Sequence, residues 1–155
     1  MEIRDSVLIA QDRETVWRAL NDVEVLRRSI PGCDTLEQTS PENMTATVTL
    51  KVGPIKAKFA GEVTLSEINA PESYRLSGEG KGGIAGFAKG SARVRLEAQG
   101  ADATLLHYDV TADVGGKIAQ LGARLLDSTA RKLSKQFFED FSAAVCADAA
   151  AEALS

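Results

Sequence analysis

The sequence predicts an α+β domain in which a curved antiparallel sheet of about six or seven strands wraps around one long C-terminal helix. A helical apolar pattern runs from about Gly116 to Ala147, and about eighty residues of alternating strand pattern precede it. Glycines punctuate those strands, as expected where strands bend. At ~1.5 Å per residue the helix would be roughly 48 Å long, so a sheet that clasps it would form a container.

The N-terminal part predicts one strand and then two short helices. The apolar residues up to Ile9 form the strand, and Asp12 is placed to cap a helix that ends near Leu20. Asn21-Asp22 can cap the second helix. Pro31-Gly32 ends it, because proline disfavours helical geometry in the residue before it.

The middle of the chain predicts a meander of strands with one buried face. Apolar and polar residues alternate in successive segments, which we place at Met44–Val52, Ile55–Leu65, around Tyr74 and Leu76, Ile84–Glu97 and Leu106–Val114. Glycines crowd the stretch from Gly78 to Gly90. Glycine in a strand marks a bend or leaves space on the sheet, and the sequence leaves both explanations open.

Length and composition predict one domain, residues 1–147, followed by a short alanine-rich tail, residues 148–155. The net charge of −4 argues against a nucleic-acid partner. No apolar run approaches the ~18 residues of a membrane span, and the N-terminus has no apolar signal segment. Cys33 and Cys146 lack CxxC spacing, which favours two free thiols in a reducing compartment. We therefore expect a cytoplasmic protein.

No catalytic or metal-binding constellation stands out in the sequence. The single histidine, His107, falls on the polar phase of its strand, opposite in phase to Tyr108. One histidine and two distant cysteines are too few ligands for a metal site of nitrogen and sulfur atoms. The sequence also shows no serine or cysteine nucleophile that would pair with His107. A pair of carboxylates for acid–base work stays open, but no spacing requires one. We therefore predict no catalytic residue, no metal site and no cofactor.

What remains is an apolar concavity between the helix and the sheet, which is the usual composition of a small-molecule site. Gly122 would stand inside the long helix at a cost of about 1 kcal/mol relative to alanine, so we expect that a closely crossing strand or a bound molecule requires a small residue there. Phe138 falls on the polar side of the helix, and Phe87 fits the cavity only if a glycine bulge shifts its phase. The predicted lining residues are Leu26, Ile30, Leu50, Phe59, Tyr74, Phe87, Tyr108, Leu121, Gly122 and Leu125.

Several short segments give the chain a specific resemblance to a known family. They are Val16–Asp22, Ile30–Cys33, Val52–Ile55 with Phe59–Gly61, and Gly115–Gly122 with Phe137-Phe138. In this order they resemble the G subunit of carbon monoxide dehydrogenase, a family of the START-like, polyketide-cyclase-like superfamily. The resemblance implies the helix-grip fold of that superfamily, in which a curved sheet holds a long helix over an inner cavity.

The resemblance also implies a function and a setting. It implies a non-catalytic accessory protein that binds a hydrophobic small molecule, such as a lipid or a quinone, and that associates with a molybdenum-flavin hydroxylase of the carbon monoxide dehydrogenase type. Peripheral contact with the inner face of the cytoplasmic membrane is a further implication.

Two alternatives stay open. One is a cyclase- or hydrolase-type enzyme, in which Tyr108 or a carboxylate would polarise a substrate carbonyl in the same cavity. The other is a docking protein that acts through its basic surface. That surface would consist of Lys51, Lys56, Lys58, Arg124 and Arg131.

Overall fold

The computed structural model describes residues 1–154 and confirms the predicted sheet, the two short helices and the long C-terminal helix. The strands are β1 Glu2–Ile9, β2 Cys33–Ser40, β3 Asn43–Val52, β4 Ile55–Asn69, β5 Ser73–Lys81, β6 Phe87–Ala98 and β7 Thr104–Gly115. The helices are α1 Arg13–Leu20, α2 Val23–Ser29 and α3 Ala123–Ala153, with 3-10 turns at Gly83–Ala85 and Lys117–Leu121. The strands form one antiparallel sheet in the order β1-β7-β6-β5-β4-β3-β2.

Each short helix begins at the aspartate that the sequence identifies as its cap. The Asp12 side chain accepts a hydrogen bond from the backbone N–H of Thr15 at 3.2 Å, and Asp22 accepts one from Glu24 at 2.9 Å. Such caps satisfy backbone donors that have no partner within the helix. α1 and α2 thereby carry the chain from β1, at one edge of the sheet, to β2 at the other.

The sequence pattern misses β2 and places the start of β6 too early. Leu36 is the one buried residue of β2, so the strand has no alternating apolar pattern. Polar side chains are typical of an edge strand, which is exposed on one side. β6 begins at Phe87 because the 3-10 turn takes up the residues before it.

The prediction of one continuous helix from Gly116 is wrong. Gly122 has φ +93° and ψ 153°, a conformation open essentially only to glycine. It therefore separates the 3-10 turn Lys117–Leu121 from α3, which begins at Ala123. The turn and the helix consequently have independent phases, so an apolar stripe cannot be extended from one to the other.

The inner face of the sheet, which faces α3, has a closed half in which large side chains form the core. Trp17 of α1 meets Tyr74 edge-on with ring centroids 5.4 Å apart, and Tyr108 stacks on Phe138 of α3 at 4.4 Å. The C-terminal half of α3 thus covers this part of the sheet. The buried apolar strand residues of the closed half are Ile3, Ile9, Leu36, Met44, Leu65, Tyr74, Val94, Leu96, Leu106 and Tyr108.

Gly122→Ala tests the observed helix break. Inside a helix this change would stabilise the fold by about 1 kcal/mol. At φ +93° the added methyl group instead strains the backbone, although no atom of the described residues lies within 4 Å of it. We expect the free energy of unfolding to fall by about 1–3 kcal/mol. Urea unfolding followed by Trp17 fluorescence measures the change, and a gain in stability would contradict the break.

Candidate functional site

The other half of the inner face, which we call the open half, is made of small and medium apolar residues. They are Val48 and Leu50 of β3, Ala57 and Phe59 of β4, Gly78 and Gly80 of β5, Ala88 and Gly90 of β6, and Ala112 and Val114 of β7. Each is half-buried, and within residues 1–154 none belongs to the core cluster. The N-terminal half of α3 faces this part of the sheet without sealing it.

Two glycines show how much space lies above the open half. A methyl group added to Gly80 would have the Cβ of Phe59, at 3.9 Å, as its nearest neighbour. One added to Gly78 would lie 3.4 Å from the carbonyl oxygen of Glu62 and 3.6 Å from a methyl group of Val63. All of these neighbours belong to the sheet, and no described atom of α3 comes within 4 Å. At these two positions of β5 the helix is therefore not in contact with the sheet.

The turn between β3 and β4 borders the open half on the side of α3. A methyl group on Gly53 would lie 2.8 Å from Cδ2 of Leu125 and 3.8 Å from Cδ1 of Leu121. Gly53 has φ +58° and no side chain, which allows this close approach. Two predicted lining residues, Leu121 and Leu125, are thereby held beside the open half.

Two further turns approach the open half from the sheet. A methyl group on Gly32, just after α2, would lie 3.7 Å from Cδ2 of Leu50. One on Gly82 would lie 2.6 Å from Cε1 of Phe59, so the Phe59 ring lies against the chain after β5. Leu50 and Phe59 are also predicted lining residues, and the structure places both in the open half.

The sequence model of the CoxG family, the G subunit of carbon monoxide dehydrogenase, matches residues 6–146. The chain belongs to this family. The matched range extends from β1 into α3 and includes both halves of the inner face. Gly32 and Gly53 lie in segments that carry the CoxG resemblance, so the sequence already pointed to the turns that border the site.

Solved structures share the fold of this CoxG family member. A conserved protein from Geobacillus kaustophilus is 28% identical, with a TM-score of 0.88 over 94% of this chain and 95% of that one. A START superfamily protein from Mycobacterium smegmatis is 15% identical, with a TM-score of 0.73 over 93% and 96%. The Zhui aromatase/cyclase from Streptomyces sp. R1128 is 13% identical, with a TM-score of 0.66 over 94% and 93%. The last two similarities show the fold alone. No curated protein matches the chain.

Four predicted lining residues lie in or against the closed half. Leu26, Tyr74 and Tyr108 are buried members of the core cluster, and Ile30 packs against that cluster. Tyr74 and Tyr108 are held there by their contacts with Trp17 and Phe138. These residues therefore support the wall of the site at its closed end.

Phe87 and Gly122 lie away from the space, which corrects the prediction for both. Phe87 is on the outer face and 46% exposed, because its strand has no bulge that would shift its phase. Gly122 is exposed at the break before α3. Phe138, assigned to the polar side of the helix, is buried against Tyr108. Phe138 lies three residues before Phe141 and seven before Val145, which places all three on one buried side of α3.

The inner face carries two buried phenols, Tyr74 and Tyr108. Burial raises the pKa of Tyr74, and its hydroxyl has no hydrogen-bond partner within residues 1–154. Burial also raises the pKa of Tyr108; the nearby Asp5 acts in the same direction and Arg131 opposes it. His107 lies on the outer face, with Nε2 3.3 Å from Oε1 of Glu97. The Tyr74 hydroxyl thus lies in an apolar setting, whereas the Tyr108 hydroxyl lies near the charges of Asp5 and Arg131.

Metal ligands and membrane-spanning helices are both missing from the part of the chain that the structure describes. Within the described residues, no group of three or more His, Cys, Asp or Glu side chains is placed to hold a metal ion. Among the helices of residues 1–154, none combines the length and the apolar character that crossing a membrane requires.

The outer face of the sheet carries two shallow hollows with charged linings. One, of about 410 Å³, is bordered by Arg75, Arg93 and Glu67, and the other, of about 480 Å³, by Lys89 and Glu79. Glu67 Oε2 lies 3.7 Å from Nη1 of Arg75 and 3.6 Å from Nη2 of Arg93. A lipophile would have to remove water from these charges, which is costly. The candidate site for an apolar molecule is therefore the inner face.

Truncation of two phenylalanines tests their positions. Phe138 is buried and stacked on Tyr108, so Phe138→Ala should lower the free energy of unfolding by about 3–5 kcal/mol. Phe87 is half-exposed on the outer face, so Phe87→Ala, the matched control, should cost less than about 1 kcal/mol. Chemical denaturation measures both changes. Equal losses would show that the two rings are not placed as described.

Alkaline unfolding tests the burial of Tyr74. Its raised pKa keeps the phenol neutral in the folded protein, whereas the unfolded chain ionises near pH 10. The resulting stability is present below about pH 10 and is lost as the pH rises towards the folded pKa. Between about pH 9 and about pH 11, Tyr74→Phe should therefore lose less free energy of unfolding than the unchanged protein. Tyr108→Phe removes a second phenol whose pKa burial also raises, so it should show the same effect to a smaller degree. Identical pH profiles for all three proteins would exclude the effect.

Proposed function

We propose that this chain binds a lipophilic small molecule between the open half of the sheet and the N-terminal half of α3. The half-buried apolar residues of the open half carry this proposal, together with the space above Gly78 and Gly80. Protein interiors normally pack with few voids larger than a water molecule. An apolar concave surface that the protein leaves uncovered therefore suits an apolar ligand.

The driving force for binding would be hydrophobic. Each 100 Å² of apolar surface removed from water contributes about 2.5 kcal/mol. A planar or chain-like molecule could lie over Gly78 and Gly80, in contact with Phe59 and Leu50 on the sheet and Leu125 on the helix. The absence of side chains on the two glycines would admit a flat ring.

We further propose that the protein is an accessory component of a molybdenum-flavin hydroxylase of the carbon monoxide dehydrogenase type. Its membership of the CoxG family supports this association. A quinone is the lipophile that we favour, because its ring and tail are apolar and it could exchange electrons with such a hydroxylase. The protein itself would hold and present the molecule.

Binding is better supported than a cyclase- or hydrolase-type reaction in the same space. Such an enzyme would need a polar or titratable group aimed at its substrate. Every residue of the open half is apolar, and Tyr108 is stacked against Phe138 in the closed half. The similarity to an aromatase/cyclase rests on 13% identity and concerns the fold alone.

Native mass spectrometry after mild purification tests lipophile binding. We expect the protein to retain a lipophile or to take up an added short-chain quinone. Gly80→Val would place a branched side chain in the open space, where strand geometry favours it. It should reduce uptake about tenfold, which corresponds to about 1.4 kcal/mol of binding free energy, without loss of stability.

Ser77→Val is the matched control, because it adds the same side chain to the outer face of the same strand. It should leave uptake unchanged. A protein that neither retains nor takes up any lipophile would overturn the proposal. If Gly80→Val took up as much lipophile as the unchanged protein, the ligand would not bind over the open half. Co-purification with a molybdenum hydroxylase tests the accessory role separately.

A further inference from the structure

The outer face of the sheet, behind the closed half, carries four of the ten arginines of the chain. They lie on β1, β5 and β6 and line the hollow of about 410 Å³. Carboxylates approach each of them within 4.0 Å. We use the name arginine hollow for these arginines and carboxylates, which are Arg4, Arg75, Arg93, Arg95, Glu67, Glu97 and Asp109.

The strand register sets two of these arginines against each other. Arg75 of β5 lies directly opposite Arg93 of β6, and Arg95 follows two residues later on the same face of β6. Like charges directly opposite each other destabilise a sheet. An anion placed between the two guanidinium groups would remove this repulsion.

Glu67 provides an anion at this point, but it forms no hydrogen bond with either arginine. One oxygen, Oε2, lies 3.7 Å from Nη1 of Arg75 and 3.6 Å from Nη2 of Arg93. Both distances exceed the range of about 2.7–3.2 Å that a hydrogen bond from nitrogen to oxygen requires. The guanidinium donors therefore remain available to another acceptor.

An irregular backbone brings Glu67 to the outer face. Leu65 is buried on the inner face, so a regular strand would turn Glu67 inwards as well. The pairing of β4 with β5 shifts after Ser66, and Glu67 has φ +50°, which is uncommon for a residue with a side chain. The Glu67 side chain is 56% exposed, so its carboxylate can leave the arginine hollow without disturbing the core.

Most hydrogen-bond donors of the arginine hollow have no acceptor in the part of the chain that the structure describes. Arg4 donates to Asp109 at 3.0 Å, whereas Arg75, Arg93 and Arg95 donate no hydrogen bond within residues 1–154. Nε of Arg75 is also buried, so water does not take the place of a partner there. Buried donors in folded proteins almost always have a partner. An acceptor from outside the chain would account for these free donors.

We propose that the arginine hollow binds a phosphate group, as the free ion or as the ester of a small molecule. A tetrahedral oxyanion has oxygens in several directions, so it can accept from Arg75 and Arg93 together and reach towards Arg95. The carboxylate of Glu67 offers two oxygens in one plane, and the phosphate would displace it. Arginine presents pairs of N–H donors that match phosphate oxygens.

The size and position of the arginine hollow fit such a ligand. Its volume of about 410 Å³ lies in the range of small-molecule sites. It opens on the outer face of the sheet, whereas the proposed lipophile would lie on the inner face. The inference is therefore independent of the proposed function, and the two can fail separately.

NMR of the arginine side chains tests the inference in the full chain labelled with 15N. The Nε–H signals of Arg75 and Arg93, assigned with the variants below, are followed as inorganic phosphate or glycerol phosphate is added. Sodium chloride at the same ionic strength controls for screening. Sodium acetate offers a planar carboxylate for comparison. We expect saturable shifts with at least one phosphate compound and about tenfold weaker binding of acetate.

Variants of the arginines test which donors bind the anion. Arg93→Gln should weaken phosphate binding about tenfold, and Arg75→Lys, which keeps the charge but loses the paired donors, should weaken it about threefold. Arg124→Gln removes the same charge from an exposed position on α3 and should stay within about twofold. Shifts that sodium chloride reproduces would overturn the inference, as would equal weakening by Arg124→Gln.

Glu67→Gln distinguishes a ligand site from a purely structural cluster. It removes the competing charge with little change of shape, so phosphate should bind about tenfold more tightly. Glu37→Gln, at an exposed position of the edge strand β2, is the matched control and should stay within about twofold. Phosphate should also raise the midpoint of thermal unfolding of the unchanged protein more than that of Arg93→Gln. Unchanged phosphate affinity in Glu67→Gln would overturn the displacement and, with it, the site.

Native mass spectrometry on the same samples separates this inference from the proposed function. Arg93→Gln should take up lipophile as the unchanged protein does, because the open half lies on the other face of the sheet. Lipophile uptake without phosphate binding would overturn the inference alone. Phosphate binding without lipophile uptake would support the inference and overturn the proposed ligand.

Discussion

The stack of Tyr108 on Phe138 fixes how α3 lies on the sheet. Phe137 meets Phe138 edge-on at 4.9 Å and lies parallel to Phe141 at 5.9 Å, so the anchor is a group of aromatic rings rather than one pair. Such pairs contribute about 0.5–1.5 kcal/mol each beyond the area that they bury. Phe137 and Phe138 lie at the middle of α3, and Phe141 lies one turn beyond them. The other end of the helix is held where Leu125 meets the turn at Gly53, and the candidate site is the stretch between these two attachments.

Some glycines of the inner face are required by a close neighbour, whereas others have room for a side chain. The second kind suggests that glycine is kept there for function and not for packing. A methyl group on Gly90 would lie 2.6 Å from the carbonyl oxygen of Thr111, so the approach of β7 requires glycine there. Gly61 is constrained in the same way by β5, since its methyl group would lie 2.8 Å from the carbonyl oxygen of Glu79. Gly78 and Gly80 have room for a Cβ and no positive φ. Glycine in a strand costs roughly 0.5–1 kcal/mol relative to alanine, so at these two positions the sheet gives up stability and keeps space.

The fold could be predicted from the sequence because its signals are local. The alternation around Met44–Val52, the caps at Asp12 and Asp22, and the break at Pro31 all act within a few residues. β2 was missed because an edge strand with one buried residue, Leu36, has no apolar period. The site was harder to predict. Leu50 and Phe59 follow from strand phase, and so does the exposure of Phe87, because β6 has no bulge against β5. The break before α3 could not be predicted, because it rests on the positive φ of Gly122, which composition alone does not reveal.

Arginine and lysine are segregated over the surface in a way that fits their chemistry. On the outer face, behind the closed half, arginines pair with carboxylates. Arg4 lies 3.0 Å from Asp109, and Arg75 and Arg93 both approach Glu67. The planar guanidinium group suits such fixed pairs, and the ammonium group of lysine suits a hydrated, changeable contact. Six of the eight lysines collect instead at the end where the inner face is open, and the described carboxylates leave them unpaired. At one end of the molecule the arginines are paired with carboxylates and the inner face is packed. At the other end the lysines are unpaired, Ile84 is exposed and the apolar inner face is uncovered.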